Sequence, residues 1–152
     1  MLGHLTDEQM VELLQQSALG RLGCTNGEST YIVPLNYIYH QGALIMHSHP
    51  GTKIQMMRQN PRVCFEVEEL KSFNDWKTVV VQGHFEEVED QKEQEAIAQS
   101  FVNSFMRIKP SDTALLPELT PSRLHPRTGP LKTIIYRVVI DSMSGRYETP
   151  EE

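Results

Sequence analysis

Asn26-Gly27, flanked by the runs GRLGCT and TYIVPLNYIYH, most narrows what this chain can fold into. Asn-Gly between runs of apolar alternation is the strongest short signal for a β-hairpin. In the second run Tyr31, Val33, Leu35, Tyr37 and Tyr39 alternate with Ile32, Pro34, Asn36 and Ile38. That period of two predicts one continuous strand. Pro34 has no N–H to give a ladder, so this strand has an open edge or a bulge there. Gln41-Gly42 turns the chain into a third strand, ALIMHS. RVCFEVEEL and WKTVVVQGHFEEVE read as two more, with Gly83 at a bulge, and LKTIIYRVVID as the last. Five or six antiparallel strands with few helices predict a mainly β fold, a small barrel with closed edges.

Helices bracket and interrupt this run. LTDEQMVELLQQSALG has a marked start: Thr6 can cap the Gln9 amide while the Gln9 side chain reaches back, and Leu5 can staple onto Met10. Met10, Val11, Leu14 and Ala18 give the apolar stripe, and Gly20 a stop. TKIQMMRQN reads as a short helix ending before Pro61. DQKEQEAIAQSFVNSFMRI is a second long helix, with Asp90 and Glu93 spaced as a capping box and Ala96, Ile97, Phe101, Phe105 and Ile108 as its buried stripe. Residues 109–130, rich in Pro, Ser and Thr, predict an irregular excursion.

The junction HSHPGTK, between the third strand and the short helix, holds the most chemistry. The first amides of a helix and its dipole favour an anion such as phosphate. Gly51 permits close backbone approach, Ser48 and Thr52 offer hydroxyls, and Lys53 a positive charge. An ordinary polar strand-to-helix loop is the competing reading. His47 and His49 do not make a metal site, because no local carboxylate or cysteine joins them. Trp76 reads either as a core or rim aromatic or as a wall against a flat ligand. Arg21 reads either as a solvated charge or as a second phosphate contact.

Composition excludes several classes. The 152 residues fit one domain, 1–152, and their formal charge of −6 argues against a nucleic-acid partner. No apolar run approaches the ~20 residues of a membrane span. MLGHLTDEQM lacks the regions of a secretory signal, and Cys24 and Cys64 form no C-x-x-C pair. Cytoplasmic residence with reduced thiols is expected.

GRLG, YIVPLNYIYHQGALIMHSHPGTKIQMMRQNPRVCFEVEE and WKTVVVQGHFEEVED, with IDSMSGR near the end, resemble the pyridoxamine 5′-phosphate oxidase-like flavoproteins. Within that family they look most like the branch of nitroimidazole-resistance proteins. HSHPGTK followed by NPRVCFEV is the most specific part. The resemblance implies a six-stranded antiparallel split β-barrel that binds flavin mononucleotide (FMN), with the dinucleotide FAD an alternative, at a homodimer interface. By the same resemblance Val33, Pro34, Leu35 and Asn36 run along the isoalloxazine ring, and Met46 and His47 touch the flavin. Ser48, Thr52 and Lys53 hold its phosphate, and Trp76 and Thr78 stand on a strand that contributes a polar contact. Thr52 replaces an arginine common before the lysine, a loss Arg21 or Arg58 could restore. The strand YIVPLNY lacks the arginine of true pyridoxamine phosphate oxidases. The implied function is an FMN-dependent oxidoreductase acting on a small molecule, nitroreductase-like, with His47 as proton donor or substrate contact. The alternative is a non-catalytic flavin or haem carrier or sensor on the same barrel. Haem is disfavoured, because the haem-degrading branch depends on a C-terminal histidine and the last one here, His125, precedes the final strand.

Overall fold

All six expected strands and all three expected helices form. The computed structural model describes residues 1–105 and 133–151. In chain order the elements are β1 (Leu2–His4), α1 (Asp7–Gln16), β2 (Leu19–Thr25), β3 (Thr30–Asn36), β4 (Ile38–His40), β5 (Ala43–Ser48), α2 (Thr52–Gln59), β6 (Arg62–Ser72), β7 (Asp75–Glu87), α3 (Gln91–Phe105) and β8 (Ile134–Glu148). The strands make one antiparallel sheet in the order β3-β2-β6-β7-β8-β5-β4, with β1 added beside β8. Its two end strands, β3 and β4, are consecutive in the chain, and only Tyr37 separates them. The sheet is therefore rolled into a split β-barrel.

Tyr37 explains why the expected single strand is two. Its N–H leaves the ladder to donate to the Ala18 carbonyl (3.1 Å), and its hydroxyl donates to the Leu14 carbonyl (2.7 Å). Its ring meets Phe65 edge-on, with centroids 5.1 Å apart. The chain thus changes partner strand, from β2 to β5, at a buried aromatic corner. With this division and the unexpected β1, six strands become eight. Pro34 lies on β3, at the end of the sheet, as its missing N–H requires.

Three other boundaries differ from expectation. Gly20 does not stop α1: the helix ends at Gln16, and Gly20 pairs with Leu35 inside β2. A Cβ there would fall 2.1 Å from the Phe65 ring, so the glycine serves strand packing. The last strand does not end at Asp141 but runs to Glu148, pairing with β7 and β1. The bulge expected at Gly83 is present, but the extra residue is Asp141 on β8, between the pairs Gln82–Ser142 and Gly83–Ile140. Gly83 is needed because a Cβ would lie 2.3 Å from the Val139 carbonyl oxygen.

Alternation divides the barrel into an interior and an outer surface. Leu22, Leu44, Met46, Phe65, Val79 and Val138 fill the interior, joined by Met10, Leu13 and Leu14 of α1 and Ile54 and Met57 of α2. Leu13 takes a place in the α1 stripe expected of Ala18, which lies beyond the helix. Burying each such aliphatic side chain contributes about 1.5–3 kcal/mol before entropy is counted. A second cluster lies outside the barrel: Ile97 and Phe101 of α3 cover Ile45 and Ile135 on the outer face of β5 and β8. Ala96 of the expected α3 stripe is exposed. Ile108, the side chain of Phe105 and the stretch 109–130 lie outside the described residues. No helix among the described residues is long and apolar enough to cross a membrane.

Candidate functional site

Each helix start handles its unpaired amides differently. At α1 the Thr6 hydroxyl accepts the Gln9 N–H (3.2 Å) and Gln9 Oε1 accepts the Thr6 N–H (2.9 Å), the full capping box expected. At α3 the Asp90 carboxylate accepts the Glu93 N–H (2.9 Å). The second half of the expected box is replaced there, because the Glu93 carboxylate turns to Arg137. At α2 the cap position is Gly51, and no side chain caps the helix. Gly51 is extended (φ 175°), and the nearest atom to a Cβ placed on it is the His49 carbonyl oxygen at 4.0 Å. The approach to the first turn of α2 is open.

Lys53 stands in that first turn, half-buried. Burial lowers the pKa of its ammonium below the ordinary lysine value, and the neighbouring Cys24 opposes the shift. Burial pushes the Cys24 thiol up, while Lys53 pulls it back. Cys24 also lines a cavity of ≈480 Å³ on β2, β3 and β6, together with Thr25, Thr30, Ile32, Arg62 and Cys64. The sequence reading missed Arg62, Thr25 and Thr30. Arg62 opens β6, and only the pairing of β6 with β2 brings it to this cavity.

The strand period sorts the expected contacts. On β5, Met46 and Ser48 point inward, where Met46 is wholly buried and the Ser48 hydroxyl is 2.9 Å from the Tyr136 hydroxyl. Ser48 thus does not display its hydroxyl at the elbow, and a ligand could meet Met46 only through its backbone. His47 points outward and is half-buried, its ring edge-on to Phe101 of α3 at 5.2 Å. Thr52 is exposed at the elbow. On β3, Val33 and Leu35 pack against the interior cluster, which leaves Pro34 and Asn36 on the outer face. The Asn36 side-chain amide donates to the Ala18 carbonyl (3.1 Å).

Pro34 lies opposite Arg21, and Arg21 opposite Glu66, on that outer face. Arg21 pairs with Glu66 (3.5 Å) and Glu68 (3.3 Å), and Thr78 donates to Glu66 (2.9 Å). Arg58 pairs with Glu87 (2.5 Å). Both arginines considered for the phosphate are held by carboxylates. Trp76 is half-buried and donates its indole N–H to Glu148 (3.0 Å). Its partner on β6 is Leu70, six residues beyond Cys64, or ~20 Å along a strand. Lys53 and Thr52 share the first turn of α2, the Arg62 cavity lies on the outer face of β2, β3 and β6, and Trp76 stands far along the sheet.

A sequence profile described as pyridoxamine 5′-phosphate oxidase matches residues 6–147. The chain is 36% identical over 84 residues to uncharacterized protein RA0666 of Rhizobium meliloti (strain 1021), covering 55% of this chain and 56% of that protein. The match thus spans a little over half of that relative's length. Among solved structures, a FAD-binding protein from Mesorhizobium loti is 29% identical, with a TM-score of 0.75 over 99% of this chain and 98% of its own. A candidate 5-nitroimidazole antibiotic resistance protein from Bacteroides thetaiotaomicron is 18% identical, with a TM-score of 0.71 over 97% of this chain and 87% of its own. At that identity the likeness is one of fold, so the expected closeness to the nitroimidazole branch reduces to a distant relation.

Proposed function

The chain belongs to the pyridoxamine 5′-phosphate oxidase family, and from that membership we propose that it binds a flavin with its phosphate seated at the start of α2. The observation that carries this reading is the uncapped Gly51 terminus, with half-buried Lys53 in its first turn. A phosphate there accepts the first-turn amides and supplies the counter-charge that a partly desolvated lysine favours. The cavity lined by Arg62 and Ile32 offers a further cation and an apolar wall on the outer face of the sheet. From Tyr31 to Asn36 the outer edge of β3 extends ~17 Å, room for the ring beyond the phosphate. FMN is the form proposed, and the Mesorhizobium protein, being FAD-binding, makes the dinucleotide the form to test against it.

The flavin, when bound, supplies two-electron chemistry, and the protein supplies position and electrostatics. The proposed activity is reduction or oxidation of a small molecule, nitroreductase-like. His47 is the proposed proton donor, since an imidazole titrates near neutrality. The proposed assembly is a two-fold homodimer with flavin between subunits, because exposed Ile32 on β3 and Leu70 and Phe73 at the end of β6 and its turn leave apolar surface. A carrier with no turnover is the second reading, favoured by the edge-on packing of His47 against Phe101, which limits how that ring can move.

Mass spectrometry of the ligand released from purified protein tests the binding, with FMN as the expected mass. A Soret band in place of flavin absorption would overturn it. Stopped-flow kinetics with a nitroaromatic then separate enzyme from carrier. His47→Gln should slow turnover by about 10²–10⁴-fold at saturating flavin. Equal rates in both proteins would leave the carrier.

A further inference from the structure

A second cavity, of ≈380 Å³, shares no lining residue with the one beside Arg62. It lies outside the barrel where α3 crosses β4, β5 and β8. Its apolar surface comes from Ile45 and Val139 of the sheet and Ala96 and Ile97 of α3. The Gln41-Gly42 turn, with both φ angles positive (49° and 76°), folds β4 tightly onto β5 and stands at its edge. Such a volume is within the range of small-molecule pockets.

One charged group dominates its polar wall. Arg137, whose side chain is only 23% exposed, bridges Glu86 (2.9 Å) and Glu93. Two carboxylates against one guanidinium leave one negative charge in excess. Each carboxylate engages Arg137 through Oε1, and a carboxylate can accept more than one donor. Arg137 keeps N–H donors beyond the two it uses, but an incoming anion meets the net negative charge of the trio. An incoming cation can join the carboxylates without breaking either pair.

We propose that this cavity binds a small organic ammonium compound with an apolar body, its charged nitrogen at Glu86 and Glu93 and its body against Ile45, Ala96 and Ile97. The site is separate from the flavin site and does not depend on that assignment.

Phenethylammonium and phenylpropionate, similar in shape and opposite in charge, serve as probes by calorimetry on the protein as purified. The ammonium should bind saturably and the carboxylate should not. Glu86→Gln, at a half-exposed residue, should weaken the ammonium about tenfold, the scale of one charge-assisted bond. Ala96→Phe, which places a ring in the cavity, should abolish binding, with the melting curve checking that it folds. Equal affinity for the two probes, no saturable binding of the ammonium, or unchanged affinity in Glu86→Gln would overturn the proposal. Displacement of bound flavin by the ammonium would also overturn it, since that would put the probe in the other site.

Discussion

The starts of α1 and α2 are built from similar material to opposite ends. Thr6 and Gln9 close the first turn of α1 on itself, and the helix beyond them buries Met10, Leu13 and Leu14 in the barrel. Gly51 offers α2 no side chain, yet Ile54, Met56 and Met57 anchor that helix in the same core. The difference is that no side chain caps α2, and a half-buried lysine stands in its first turn. The proposed phosphate site would use the open terminus, while the capped one serves the fold.

The strongest way to break this contrast is to close α2. Gly51→Asp is sterically open and, as an N-cap, should leave the melting temperature unchanged or slightly higher. It also puts a carboxylate where the phosphate is proposed, so flavin affinity should fall at least about a hundredfold, since like charges in contact cost several kcal/mol. Flavin titration followed by fluorescence reads the loss, and wild-type affinity in this variant would contradict it.

Lys53→Ala removes the cation and leaves the amides. It should weaken flavin by about 1.5–3 kcal/mol, roughly 10–150-fold, while the ligand-free melting temperature changes little. Calorimetry and a melt on the same sample give both numbers.

pH gives a graded version of the same loss. Burial holds the Lys53 pKa below the ordinary value, so the folded protein sheds this proton at lower pH than the unfolded chain. The desolvation penalty on stability is present in full below the folded pKa. It is relieved as pH rises from there toward the unfolded value of about 10.4. Flavin affinity runs the other way, falling as pH rises through the depressed pKa and reaching at most the Lys53→Ala level. That variant should lack this step in a titration of affinity against pH.

The smallest effect belongs to α1. Thr6→Ala should cost about 1 kcal/mol of unfolding free energy in denaturant and leave flavin affinity unchanged. A loss of affinity there would mean that the two termini are not independent.

Much of the fold was legible because its signals are local. The Asn26-Gly27 hairpin, the Thr6–Gln9 box and the edge position of Pro34 each follow from a few neighbouring residues. Tyr37 was misread because alternation continues through it, and only its bonds to Leu14 and Ala18 turn the chain. Gly20 was misread because a helix-stopping glycine and one that makes room for Phe65 look alike in sequence. The proposed phosphate site at the elbow, with Lys53 and Thr52, rests on local spacing. Ser48 was assigned to the elbow although strand parity turns it inward to Tyr136. Arg62 was missed because its place beside Cys24 depends on the pairing of β2 with β6, which no short stretch encodes.

The central claim is that α2 holds a phosphate. Calorimetry of the ligand-free protein with FMN and with riboflavin, which differ only in that group, tests it most directly. The account predicts that FMN binds at least about a hundredfold more tightly, the scale of several charge-assisted bonds, and that Gly51→Asp erases the difference. Equal affinities for FMN and riboflavin in the wild type would contradict it.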